Sequence, residues 1–147
     1  MTFKSDLNKF ATKVETRSTR VMQGTALDLF GMIVEKTPVG KPSLWVSKPP
    51  AGYTGGRLRG NWQLSINSPA SGTLEATDQT GAMVNAKAHN NVRPADVGDS
   101  IWITNNLPYA IPVENGWSAQ APAGMVKTTI KSFKAYVAKN ARKESRK

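Results

Sequence analysis

Apolar residues recur at three- and four-residue spacing from Phe3 through Leu7, Phe10, Val14 and Val21 to Ala26, Leu29, Phe30 and Ile33. That period marks one face of an amphipathic helix, and Lys, Arg and Glu fill the opposite face. The pattern predicts a single helix over 3–34. Gly24 and Gly31 weaken its interior and are the places where it could kink, and Pro38 stops it, with Thr37 biased away from helical geometry. At ~1.5 Å per residue such a helix spans roughly 45 Å. A compact chain of 147 residues has a radius of gyration near ~15 Å. The helix must kink at a glycine or overhang the body, and an overhanging apolar face needs another subunit to cover it.

The periodicity then stops. Residues 37–57, TPVGKPSLWVSKPPAGYTGGR, hold four prolines and four glycines. Structureless stretches longer than ~12–15 residues are uncommon inside a compact domain. This one also carries Leu44, Trp45, Val46 and Tyr53, which a disordered tether lacks. It reads as a pinned, extended arm that orders on assembly.

Alternation takes over at residues 61–67, where Trp62, Leu64 and Ile66 face one side and Gln63 and Ser65 the other. This is a half-buried strand. The cluster at 68–72 reads as a turn, and 73–77 as a return strand completing a hairpin. An Ala-rich helix is expected over 81–89. A strand follows at 100–105, with Ile101 and Ile103 on one face and Trp102 and Thr104 on the other. A short helix over 108–116 ends at Gly116. The last helix, 122–143, opens at Pro122 and carries an apolar stripe of Val126, Ile130, Phe133, Val137 and Ala141. Residues 144–147 form a tail. The order predicts one α+β domain spanning 1–147, a small antiparallel sheet (58–121, with short helices) bracketed by a long N-terminal helix and a basic amphipathic C-terminal one.

Charge refines the picture. The net +10 is concentrated at one end: residues 124–147 hold eight Lys/Arg against one Asp/Glu, while the rest is close to neutral. Cations near a helix C-terminus suit its dipole, so part of this charge needs no ligand. The remainder makes Lys139, Arg142, Lys143, Arg146 and Lys147 candidate electrostatic contacts to nucleic acid or an acidic surface. Lysines dominate and few aromatics are interleaved, so any DNA contact attracts phosphate without reading sequence. Little apolar residue content follows Val137, and the end is expected to fray.

Chemistry is sparse. With no cysteine and one histidine, disulfides, thiolate zinc sites and Cys nucleophiles are excluded. His89 has no partner suited to catalysis. Asp96 and Asp99 form a DxxD pair with Pro94 and Gly98 beside them, which reads as loop carboxylates rather than a metal site. Gly55-Gly56-Arg57-Leu58-Arg59-Gly60 looks like a phosphate cradle, but it follows an arm and opens a strand rather than a helix. No catalytic residue, metal or cofactor is expected. No apolar run approaches the roughly 20 residues of a membrane span. The composition reads as a soluble intracellular protein.

Two segments carry a further signal. One is Thr54-Gly55-Gly56-Arg57-Leu58-Arg59-Gly60-Asn61-Trp62. The other runs from Asn105, Asn106, Pro108 and Tyr109 through Glu114, Gly116 and Trp117 to Gln120 and Pro122. Together they resemble the small neck, or tail-completion, proteins of tailed bacteriophages with long non-contractile tails. That family pairs a TG-R-L-R turn after a long N-terminal helix with an NN-PYA…E-G segment before a C-terminal helix. The long Pro-rich arm before Thr54 departs from many relatives. The resemblance implies an α+β fold, no enzymatic activity and a place in the virion neck after assembly in the host cytoplasm. It implies partners: further copies in a hexameric ring, the head-side connector or stopper, the tail terminator or tube, and genomic DNA passing the lumen. The motif residues, with Trp45, Tyr53 and Leu58, would form interfaces. Glu114 is expected to accept from Arg57 or Arg59.

Overall fold

The computed structural model describes residues 2–44 and 47–147. Helix α1 runs unbroken over Phe3–Lys36, through both glycines. The Thr2 hydroxyl caps its start by accepting from Ser5 N at 3.3 Å. Thr37 ends it in extended geometry (φ −73°, ψ 124°), as a residue preceding proline should. With 34 residues, α1 is about 51 Å long. From residue 2 to residue 16 every position but Ser5 is exposed. The first half therefore overhangs, carrying Phe3 at 83% and Phe10 at 66% exposure, with Leu7 and Val14 on the same row.

The second half of α1 enters the core through Ala26, Phe30, Ile33 and Val34. A short 3-10 turn, Pro42–Leu44, lies in the arm, and the glycine turn expected to open a strand instead opens a one-turn helix, α2 (Arg57–Gly60), with Gly56 at its N-cap. Strand β1 (Gln63–Ile66) comes next, then α3 (Ala82–Val92), β2 (Ile101–Thr104) and α4 (Ala110–Glu114). The chain closes with α5 (Val126–Ile130) and α6 (Phe133–Ser145). The fold is α+β. Trp45 lies outside the described residues.

The expected hairpin does not form. Strand β1 pairs antiparallel with β2, Leu64 opposite Ile103 and Ile66 opposite Ile101. Residues 73–77 are held by side-chain amides instead. Asn61, fully buried, donates to Leu74 O at 3.0 Å and accepts from Leu74 N at 2.7 Å. Asn106 reaches Ala70 O and Gly72 O at 2.8 and 2.9 Å. A side-chain amide mimics a backbone partner here, and the ladder is left to β2.

The last helix also differs from the single 122–143 element expected. It breaks between Ile130 and Phe133, and α6 extends to Ser145. Its predicted apolar stripe is not the packed face: Ile130 is 61% and Phe133 49% exposed, while Thr129, Asn140 and Glu144 are buried. The end expected to fray is helical to Ser145 and contacts α1. Asn140 donates to Asp28 Oδ2 at 2.7 Å, Lys139 pairs with Asp28 at 2.8 Å, and Glu144 accepts from Lys147 at 2.9 Å with Arg20 3.6 Å away. Gly24 makes this seam possible, because a Cβ there would stand 2.4 Å from Asn140 Oδ1.

Candidate functional site

The two motif segments are far apart in the chain and meet at one cleft. Arg57 and Leu58 come from α2, Tyr109 and Val113 from α4 and its entry, and Trp117 and Gln120 from the loop behind it. Pro38, Gly40 and Tyr53 of the arm complete a cavity of about 390 Å³. Trp117 is 81% exposed and Tyr109 also stands out, so neither aromatic is packed in the core. Burial pushes the Tyr109 phenol above its ordinary range, with the nearby Arg57 charge opposing. The hydroxyl stays a neutral donor at physiological pH.

The backbone around this cleft is fixed by close approaches. Gly55 (φ 75°) lies so near Gly40 O that a Cβ would meet it at 2.3 Å. At Gly56 (φ 85°) a Cβ would meet the Asp78 backbone at 2.8 Å. These contacts hold the TG-G turn against both the arm and the 73–78 segment, and the left-handed φ values favour glycine. Thr54 contributes its carbonyl, which accepts from the Gln79 amide.

The arginines are placed differently from expectation. Neither Arg57 nor Arg59 bonds to Glu114. Arg57 pairs with Glu75 at 3.1 Å on the surface. Arg59 turns to the end of α1, donating to Thr37 O at 2.7 Å and Glu35 O at 3.2 Å, and to Gln79 O at 2.6 Å. A guanidinium on the orphan carbonyls at a helix C-terminus is favoured by the dipole. Next to it, Trp62 Nε1 donates to the Thr37 hydroxyl at 2.7 Å, which donates to Ile33 O at 2.6 Å. The resemblance segment thus builds the junction between α1 and the sheet.

Glu114 instead caps the start of α5. It accepts from Met125 N at 2.7 Å, Val126 N at 2.9 Å and Lys127 N at 2.9 Å. Burial raises its carboxyl pKa, but the three N–H donors outweigh this and hold it below the ordinary value. Gly116 (φ 90°) and Gly124 (φ 86°) close the loop, their Cβ positions blocked by Pro122 O at 2.7 Å and Glu114 O at 2.6 Å. Asn105 donates to Leu58 O at 2.8 Å, tying the second segment to the first. Gln120 reaches Val39 O of the arm at 3.3 Å. Asn105, Asn106, Glu114, Gly116 and Pro122 therefore build the scaffold, while Tyr53, Arg57, Tyr109, Trp117 and Gln120 line the cleft.

The basic residues sort into two groups. Lys139 and Lys147 are engaged by Asp28 and Glu144. Arg142, Lys143 and Arg146 are exposed and, with Lys139, line a shallow basic depression on α6. Among the described residues, no group of three or more His, Asp or Glu side chains is arranged to hold a metal. Asp99 is a loop organiser, accepting from Asp96 N at 2.8 Å and Asn67 Nδ2 at 2.8 Å. No helix of the described residues is long and apolar enough to cross a membrane.

A second surface was not legible from the sequence. Between α1, β2 and α6 lies an open groove of about 710 Å³. Val21 and Leu29 line it from α1, Ile101 and Ile103 from β2, and Phe133, Val137 and Ala141 from α6. In the sequence these residues look like core. The Gly24–Asn140 and Asp28–Lys139 contacts join α1 to α6 along a polar seam, and the apolar faces are left flanking the groove. No family model matches the chain, and comparison with curated proteins and with solved structures found no match.

Proposed function

We propose that the chain is a non-enzymatic virion structural protein of the phage head-to-tail joint. It forms a hexameric ring between the head-side connector or stopper and the tail terminator or tube, in the neck of the particle. The mechanism is geometric: repeated subunit interfaces close a ring, the arm contacts an adjacent ring, and the lumen passes DNA without reading it. The observation that carries this reading is the meeting of the two resembling segments at one cleft, with the arm along its edge and Trp117 and Tyr109 exposed. Exposed aromatics beside an arginine are the composition of an interface anchor. The overhanging half of α1 supports the same reading, since its apolar row has no cover within its own subunit.

Negative-stain imaging and native mass of the purified chain test the proposal. Closed rings are the expected result. A second reading, a nucleic-acid-binding module without sequence preference, draws on the Arg142–Lys143–Arg146 surface. It predicts a monomer whose DNA affinity falls steeply with salt, each phosphate contact contributing about 0.9 to the log–log slope. A salt-sensitive monomer–DNA complex without rings would replace the first reading with the second.

A further inference from the structure

We infer that the apolar groove between α1, β2 and α6 is the seat for the overhanging N-terminal segment of α1 from a second copy of this chain. The inference rests on the ring reading and names the contact that would repeat around it.

The two surfaces match in chemistry, length and number. The row Phe3, Leu7, Phe10 and Val14 is exposed throughout, and its two phenylalanines alone present roughly 300 Å². With Leu7 and Val14 added, the row reaches the size of the largest apolar patch on a typical monomer, which is often functional. Residues 3–14 extend about 16 Å along a helix, and the groove wall on α1, from Arg17 to Leu29, extends about 18 Å. An amphipathic helix laid in an apolar groove through i, i+4, i+7 anchors is a recurring recognition mode. Each copy has one row and one groove.

Its own row is excluded as the occupant. Row and groove lie on one unbroken helix, with centres about 22 Å apart along its axis. No hinge separates them, so the row reaches only a neighbour's groove. Charge does not oppose the contact. In the groove lining Glu144 is already engaged by Lys147 and Arg20, which leaves Asp99 against Arg17, so the groove is close to neutral. The segment bearing the row carries Lys4, Lys9 and Lys13 against Asp6 and Glu15. A contact of this kind is head-to-tail: every copy gives its row to one neighbour and receives a row from the other. Repeated, it closes a ring when the rotation allows and runs on as a filament when it does not.

The chain has no cysteine, so paired thiols report one contact. Leu7→Cys and Phe133→Cys chains, prepared separately, mixed and oxidised, are expected to yield a disulfide dimer containing one of each. Both positions are substantially exposed, so the variants fold. A dominant Leu7→Cys homodimer would show rows packing on rows and overturn the inference, as would a monomeric mixture with no mixed product. In parallel, Phe10→Glu is expected to weaken self-association by about a hundredfold or more with an unchanged melting temperature. Unchanged association would overturn the inference. Rings that form in Phe10→Glu would leave the neck reading standing and remove this contact. Mixed disulfides found only in open filaments would keep the contact and remove the closed ring.

Discussion

Two residues show how single atoms set this fold. Glu114 holds three backbone N–H groups at the start of α5, and its pKa is depressed in the folded chain. A carboxylate with a lowered folded pKa contributes stability in full above its unfolded value, near ~4.3. That contribution is lost as pH falls through the folded value. Glu114→Gln should therefore cost about 1–2 kcal/mol at pH 7. The gap between variant and wild type should narrow below pH ~4, which melts across a pH series will measure. A gap that does not change with pH would mean the carboxylate charge is immaterial to the cap. Gly24 poses a sign question. Alanine in a helix interior gains about 1 kcal/mol over glycine. Here its Cβ would strike Asn140, whose amide is held by Asp28 Oδ2 and Tyr136 O. Losing a hydrogen bond to a charged partner costs about 1.5–3 kcal/mol. Gly24→Ala should thus destabilise by about 1 kcal/mol, and become stabilising by a similar amount in an Asn140→Ala background. A double-mutant cycle in denaturant decides; equal effects in both backgrounds would rule out the clash.

Elements were legible where periodicity and packing agreed. The existence of α1, β1 and β2 follows from spacing, with Pro38 marking the end of α1; Phe30 and Leu64 bury the faces that their periods mark, while Ile103 is half-buried at the groove. The hairpin was not legible, since residues 73–77 alternate like a strand while the pairing they need is supplied by the Asn61 amide, a contact thirteen residues away in sequence. The C-terminal helix misled for a related reason. Its stripe of Phe133, Val137 and Ala141 is real, but the seam to α1 is made by Asn140 and Glu144, polar residues that read as solvated. At the cleft, glycine and aromatic positions were readable as a pattern. The partners of Arg59 and Glu114 were not, because both bond to backbone atoms, and backbone carries no sequence signal. The seam makes a prediction at this scale. Truncation after Ala138 removes Lys139, Asn140 and Glu144 from the face of α1. The lost Asn140 bonds alone should cost about 2 kcal/mol. For a chain of this length that lowers the melting temperature by about 6 °C. A truncated chain that melts like the wild type would return the tail to the frayed, purely electrostatic role that its charge suggests.

At the scale of the whole molecule, the packed core and the exposed apolar surfaces are separate. The core draws on the second half of α1, α3 and the sheet, while the overhanging row, the groove and the aromatic edge of the cleft remain open to solvent. On the proposed ring reading, such a separation lets assembly be disabled without unfolding the subunit. Trp117 tests it. It lies between Gly116 and the turn that leads to α5, and its indole is 81% exposed. Large costs come from cavities or orphaned polar groups, and removing an exposed ring creates neither. Trp117→Ala should therefore shift monomer stability by less than about 0.5 kcal/mol. An exposed tryptophan that becomes central to an interface is worth about 2 kcal/mol or more there, which is roughly a thirtyfold loss of affinity. Thermal melts and sedimentation of Trp117→Ala, run beside Phe10→Glu, separate the two surfaces. If loss of Trp117 spares self-association but abolishes joining of heads to tails, the cleft faces a neighbouring ring and the groove faces a neighbouring copy. If it lowers the melting temperature as far as truncation of α6 does, the indole stabilises its own subunit, and the cleft is structural after all.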